Sequence, residues 1–356
     1  MGVRFSLPAQ MIREKTYNTL VILGPTATGK SDLAVTLAKM IEEEKLGTYD
    51  GAEIISADSR QVYRGMDIGT GKISQAEMRG IPHHLLDVAN PRKQFSVVDF
   101  KNLAKRATRD IISRNRLPII CGGTGFYIDS LIYNTDFPII DTNIALRNEL
   151  AKKPVNYLFD TLIKLDPVRA NNMNSSDNQN PRRLIRAIEI ASAMSLNYMA
   201  DKTHRTKPGL PDNFIYKPLL VGLKLPTDDL RKRIHDRLSR RIDNGMIDEV
   251  RQLHKSMKTG GAGLSWKRMN ELGLEYKFLS EHLQGKMSQS EMTNKLETAI
   301  WHYAKRQMTW FKRNEEIHWF QPSQNNEMEK LVRANLERSD NSNSPSKQNR
   351  TTNNPF

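Results

Sequence analysis

The sequence predicts an α/β fold: a parallel sheet core with helices on both faces, interrupted by an inserted all-helical domain. Three observations carry this expectation. Short apolar runs alternate with stretches of helical periodicity over residues 16–140. The first of those runs opens directly into a glycine-bounded turn. Near Asp141 strand character disappears, and it returns only at Tyr216.

Each element has a local reason. Leu20 to Leu23 form a short apolar strand, and Leu33, Ala34, Leu37, Ala38 and Ile41 follow at helical spacing. "AEIISAD" reads as a second buried strand. "SVVDFKNLAKRATRDIISRN" reads as an amphipathic helix opening at Ser96 with Asp99 in its first turn, and it runs into a third strand, "LPIICGG". Strand, helix, strand in this order implies parallel strands with helical crossovers. Residues 141–213 show helical periodicity and an Asn-rich interruption, "NNMNSSDNQN", which reads as a helical insertion. "YKPLLVGLKL" restores a strand and opens the second part of the core, 214–325. Helical segments at Thr227 to Met257 and Ser288 to Arg313 flank "TGGAGLSW", read as a flexible glycine loop. From Ser339 to Phe356 the composition is polar, which predicts a disordered tail.

The chain has 356 residues, 38% hydrophobic and 26% charged, enough to bury a sizeable core. Its formal net charge of +14 favours a polyanionic partner, nucleic acid ahead of membrane. A single cysteine, Cys121, excludes a disulfide framework or cysteine-built zinc cluster and fits a reducing compartment. No apolar run reaches membrane-spanning length, and "MGVRFSLPAQMIREK" holds too short an apolar stretch for a secretory signal. A cytoplasmic, monomeric protein is expected.

Gly24-Pro25-Thr26-Ala27-Thr28-Gly29-Lys30-Ser31 fits G-x-x-x-x-G-K-[ST] between a strand and a helix, which makes the core P-loop NTPase-like. The glycines let successive N–H groups point at an anion, and the following helix adds its positive end. Lys30 supplies a point charge for terminal phosphate oxygens, and the Ser31 hydroxyl is placed to ligate Mg²⁺. The loop speaks for phosphate and Mg²⁺, not for ATP hydrolysis as such. "LPIICGGTG" ends in cysteine and glycines where a hydrolase would present an acid to the metal. "EIISAD" does end in an acid, Asp58, which leaves a nucleotide kinase or ATPase open. A carboxylate at that strand edge faces the ligand crevice of an open α/β sheet. It can hold Mg²⁺ through water or take a proton from a nucleophile.

Six motifs stand in order along the chain: "GPTATGKS", "ISADSRQVYRGMDIGTGK", "PHHLLD", "CGGTGFY", "PRRLIRAIE" and "AKRQMTWFKR". Together, over residues 19–320, they resemble the tRNA dimethylallyltransferases, also called tRNA isopentenyltransferases. The resemblance implies transfer of a dimethylallyl group from dimethylallyl diphosphate to N6 of adenosine 37, in the anticodon stem-loop of tRNA. It implies that Gly24 to Ser31 grip the departing diphosphate, Thr26, Lys30 and Ser31 contributing side chains, with Asp58 as general base and Arg237 near the diphosphate. It further implies tRNA contacts from Asp58, Ser59, Arg60, Gln61 and Thr124, and from Arg182, Arg183 and Arg186 of the insertion. Two local departures are "NQNPRR", where the family often carries an acid, and "LGLEY" at Leu272 to Tyr276. Prenyl transfer to free AMP or ADP shares the core motifs and stays open as the alternative. The arginine-bearing insertion and the basic segment near the C-terminus argue for a larger anionic acceptor.

Other residues have blander readings. Trp301, Ala304, Met308 and Phe311 at helical spacing read as a core-facing stripe, leaving Lys305, Arg306, Lys312 and Arg313 for the tRNA backbone. Adjacent His83 and His84 diverge in direction and read as structural rather than as a metal pair. Cys121, ending an apolar strand, reads as packing.

Overall fold

The computed structural model describes residues 17–47, 49–135, 137–138, 140–200, 216–258 and 263–341. Backbone contacts divide the chain into two units, one of residues 1–135 with 214–356 and one of residues 136–213.

The larger unit runs β1 (Tyr17–Leu23), α1 (Lys30–Glu44), β2 (Gly51–Ser56), α2 (Gln75–Met78), β3 (His83–His84), α3 (Val97–Ser113), β4 (Arg116–Gly122) and α4 (Gly125–Ile132). The smaller unit holds α5 (Ile144–Leu150), α6 (Val155–Leu165), α7 (Pro167–Asn171) and α8 (Pro181–Ala200). The chain then returns to the larger unit with β5 (Tyr216–Leu223), α9 (Thr227–Asp243), α10 (Met246–Lys258), α11 (Trp266–Leu272), α12 (Leu274–Leu283), α13 (Gln289–Phe311), β6 (His318–Phe320) and α14 (Asn325–Asn341).

Among the described residues the strands form one parallel sheet in the order β3-β2-β4-β1-β5-β6. Its central strands are largely apolar because both faces are covered, with Glu53 and Ser56 of β2 as buried polar exceptions. Leu20, Ile22, Ile54, Ile119 and Val221 point to one face, where α1 and α14 pack. Val21, Leu23, Ile55, Ile120 and Leu220 point to the other, against α3 and α4. A third core, including Ile234, Leu238, Val250, Met269, Leu279 and Leu296, joins α9 to α13. Helix α3 begins at a capping box of Ser96 and Asp99.

Several expectations need correction. The stretch Thr227 to Met257 is two helices, broken where Gly245 adopts φ +92°. In "TGGAGLSW", residues 259–262 lie outside the described residues. The described remainder is packed rather than flexible: Leu264 is buried, and its N–H donates to the Leu253 carbonyl at 2.8 Å. The buried line of α13 runs through Ile300, Ala304, Gln307 and Phe311, whereas Trp301 and Met308 are half-buried. Helix α14 seats Met328, Val332 and Leu336 on the sheet and continues to Asn341, so the start of the expected tail is helical. Residues 342–356 lie outside the described residues.

The smaller unit has its own core of Leu150, Leu158, Leu162, Leu184 and Ile188. No helix among the described residues is long and apolar enough to cross a membrane.

Glu53 in β2 is only 3% exposed. It accepts hydrogen bonds from Arg114 at 2.8 Å and faces His84 Nε2 at 2.7 Å, so the adjacent histidine joins the sheet edge to an acid. Glu53→Ala should leave Arg114 with Asp110 as its remaining acid and His84 Nε2 without its partner. We expect a loss of ~2–4 kcal/mol, the lower part of the range for a broken buried pair because Arg114 still meets water. Urea denaturation measures this, and a loss under ~0.5 kcal/mol would show the pair to be a surface ornament.

Candidate active site

The glycine-bounded turn leaves β1 at the middle of the sheet. Gly24 has φ +143°, and a Cβ there would lie 2.4 Å from the Leu223 carbonyl oxygen of β5. Only glycine allows this approach. Gly29, at φ +91°, ends the turn and caps α1. The first N–H groups of α1 therefore face the turn with no partner inside the helix. Thr28 Oγ1 donates to the Pro25 carbonyl at 2.9 Å, and Lys30 Nζ donates to the same oxygen at 2.6 Å. Burial pushes the Lys30 ammonium down to about 8; Arg237 adds to this effect, while Cys121 and Asp58 oppose it. The Ser31 hydroxyl is hydrogen-bonded with Cys121, whose thiol burial pushes up to about 11, as suits packing rather than nucleophilic work.

Thr26 is the junction of the site. Its Oγ1 accepts from Arg237 Nη1 at 3.0 Å, and its N–H donates to Gln307 Oε1 at 2.8 Å. Arg237 Nη2 also donates to the Gly71 carbonyl at 3.2 Å, which Gln61 Nε2 shares at 3.2 Å. Burial, and then Arg241, lower the pKa of Arg237. A guanidinium keeps its charge all the same.

Asp58 follows β2 where β2 and β4 converge. The Ala57 N–H donates to the Cys121 carbonyl at 2.8 Å, and the Thr124 N–H to the Ala57 carbonyl at 3.2 Å. Asp58 Oδ1 accepts the N–H of Arg60 at 2.7 Å and of Gln61 at 3.3 Å, an Asx turn that fixes the carboxylate. Ser59 N–H donates to Thr124 Oγ1 at 3.1 Å, and the Thr124 hydroxyl also bonds Tyr303. The charge of Asp58 reaches Lys30, Arg237 and Tyr303. One network of contacts thus links Thr26, Lys30, Asp58, Ser59, Gln61, Thr124 and Arg237.

Other expected residues lie apart from these contacts. Lys305 and Arg306 are exposed on α13, near the rings of Trp301 and Tyr303, each at 5.9 Å. Arg182, Arg183 and Arg186 belong to the smaller unit. Arg182 is exposed, Arg183 pairs with Asp177, and Arg186 is drawn onto the buried Glu189, which also holds Arg147 at 2.7 Å.

Sequence reasoning passed over Gln307, Tyr303 and Glu249. Gln307 carried a signal, a polar residue inside an apolar helical stripe. Glu249 carried none. Its carboxylate accepts the N–H groups of Asp67, Ile68 and Gly69 at 2.8, 2.6 and 3.0 Å and the Tyr276 hydroxyl at 2.8 Å. That nest fixes the segment leading to Gly71 and so to Arg237.

Ser31 and Asp58 offer oxygen donors, which suit Mg²⁺ shared with phosphate and water. No group of three His, Cys, Asp or Glu side chains fit for a metal occurs among the described residues.

A family model described as IPP transferase matches residues 61–314. The tRNA dimethylallyltransferase 2 of Treponema denticola is 43% identical over 309 residues, covering 85% of this chain and 95% of its own. The tRNA dimethylallyltransferase 1 of Syntrophus aciditrophicus is 39% identical over 329 residues, covering 90% and 98%. Among solved structures, the full-length tRNA isopentenylpyrophosphate transferase of Bacillus halodurans is 33% identical with TM-score 0.63, covering 92% of this chain and 99% of that one. A eukaryotic dimethylallyltransferase acting on tRNA, at 23% identity and TM-score 0.70 over 94% and 82%, shares the fold. The chain belongs to the IPP transferase family, that of the tRNA dimethylallyltransferases, and is a transferase. Its parallel sheet with a phosphate loop is the architecture expected from sequence.

The Lys30 pKa of about 8 has a consequence for anion binding. A bound anion favours the ammonium, so near pH 8 Lys30 should take up a proton when pyrophosphate binds, and binding should weaken as pH rises through that value. Calorimetry at pH 8 without magnesium, in two buffers of different ionisation enthalpy, measures the uptake. Lys30→Met should abolish this share while leaving pyrophosphate's own titration. Equal uptake by both proteins would show that Lys30 is not the titrating group.

Proposed function

We propose that this transferase moves a dimethylallyl group from dimethylallyl diphosphate to N6 of adenosine 37 of tRNA, giving N6-isopentenyladenosine and diphosphate. The observation that carries the reading is the placement of Asp58 beside a phosphate loop that holds Lys30 at the Pro25 carbonyl and Arg237 at the Thr26 hydroxyl. The names of the relatives support tRNA as acceptor, and a tRNA substrate is consistent with a cytoplasmic enzyme.

An exocyclic adenine amine is a weak nucleophile, so the electrophile has to be good. The allylic carbon becomes good when negative charge on the departing diphosphate is stabilised. The loop N–H groups, Lys30 and Arg237 act on that charge, most strongly in the transition state. Mg²⁺, held by Ser31 and the diphosphate oxygens, would supply further positive charge there. The N6 nitrogen attacks the allylic carbon, the bond from that carbon to the diphosphate oxygen breaks, and Asp58 takes the N6 proton. With Oδ1 anchored by two N–H groups, Oδ2 is the basic atom. Adenosine 37 leaves its stack to reach this crevice, at a cost of a few kcal/mol that is smallest in an unpaired loop. Ser59, Gln61 and Thr124 line its approach, with Arg60 beside them.

Radiolabelled dimethylallyl diphosphate offered with Mg²⁺ and, in parallel, unmodified tRNA, AMP and ADP tests the reading. Label should enter tRNA; label confined to free nucleotide would replace the proposal with adenylate prenylation. Lys30→Ala and Arg237→Ala should each lower turnover by about 10²–10³, the scale of one lost charge-stabilising donor. Asp58→Asn should lower kcat by about 10²–10⁴ while pyrophosphate affinity holds. Near-normal turnover in any of the three removes that residue from the mechanism. In filter binding against salt, Arg182→Ala should weaken tRNA binding and flatten the log–log slope by about 1. Arg186→Ala should instead lower the stability of the helical unit, since Arg186 serves Glu189. An unchanged slope in Arg182→Ala places the tRNA contact elsewhere.

A further inference from the structure

We propose that Gln307 is the positioning residue that sets the distance between the donor cradle and the acceptor wall. This rests on the reading above. Past Leu23 and Gly122 the ladder between β1 and β4 ends. The two turns that follow carry different substrates' contacts, the phosphate loop on one side and Gly123-Thr124 on the other. Gln307, only 6% exposed, reaches them from α13 and bridges both. Its Oε1 accepts the Thr26 N–H at 2.8 Å, and its Nε2 donates to the Gly123 carbonyl at 2.8 Å.

The bridge has one orientation. Turning the amide over would set an NH₂ against an N–H and an oxygen against an oxygen. Each end also leads directly to a working group. Thr26 receives Arg237, and Thr124, next to Gly123, receives Ser59 beside Asp58. One neutral amide thus fixes where the diphosphate-binding cations stand relative to the groups that meet the purine. Both polar atoms of Gln307 are spent on backbone groups, so its effect falls on alignment. Misplacement of reacting atoms by about 1 Å costs on the order of 10²-fold in rate. A merely satisfied core amide would instead support stability and affinity together.

Two substitutions reach the bridge by separate routes. Gln307→Met keeps the volume and removes both bonds. Gly123→Ala leaves the amide intact but places a Cβ 2.2 Å from Nε2, which displaces it. For each we would measure kcat at saturating donor and acceptor, pyrophosphate affinity by calorimetry and acceptor affinity by filter binding. The acceptor is whichever of tRNA, AMP and ADP the wild-type enzyme labels, so failure of the tRNA reading is recorded on the wild type alone. We expect kcat to fall about 30–100-fold in both variants with both affinities within about 3-fold. Combining Gly123→Ala with Gln307→Ala should be no worse than Gln307→Ala alone, because the colliding group is gone. Unchanged kcat overturns the proposal. So does a loss of pyrophosphate affinity that accounts for the whole rate effect, which would make Gln307 a brace of the cradle only.

Discussion

The constraint on which this structure turns is the confinement of positive charge at the end of β1. Lys30 and Arg237 are half-buried, and Arg237 helps drive down the affinity of Lys30 for its proton. Without an anion such a pair is unfavourable, and the fold tolerates it because neutral polar groups absorb the cations' donors. The Pro25 carbonyl takes Lys30; the Thr26 hydroxyl and the Gly71 carbonyl take Arg237. These acceptors are weaker partners for a cation than phosphate oxygens. The arrangement is thus biased towards releasing its donors to a phosphate-type anion, as the proposed reaction requires.

Holding those groups at fixed distance is the work of the sheet and the helices that follow it. Leu23 and Gly122 end adjacent strands, and Gly24 passes within contact of the Leu223 carbonyl. This places the turns after β1, β2 and β4 on one edge with little room to shift. Glu249 then extends the rigid region beyond the sheet. A carboxylate accepting three successive N–H groups stabilises a segment that has no regular secondary structure of its own.

What the sequence makes legible follows from how local each cause is. Strands β1, β2, β4 and β5 are readable because a parallel strand covered on both faces needs a continuous apolar run. Strands β3 and β6 are too short to carry one. The phosphate loop is readable because its glycines and lysine act within one turn. Helix α14 escapes notice since Met328, Val332 and Leu336 stand among polar residues and acquire meaning only against the sheet. The break at Gly245 escapes because the apolar spacing resumes on its far side. Asp58 is readable as an acid at a strand edge, but its role and that of Arg237 came only through family resemblance. Glu249 is invisible, because its partners lie about 180 positions earlier in the chain.

That last distance points to how the catalytic unit is built. The turns of the candidate site come from the first part of the chain and are fixed partly by bonds among themselves and partly by residues of α9 to α13. Arg237 and Arg241 on α9, Glu249 on α10, Tyr276 on α12, and Tyr303 and Gln307 on α13 all bond to turns formed before residue 125. Tyr276 does so through Glu249. The early part therefore carries the motif, and the later helices brace its geometry. The smaller unit is inserted between these two halves, where it leaves the early turns and the later helices intact as sequences. The acceptor contacts proposed for the insertion are thus separate in sequence from the residues proposed to position the reacting groups.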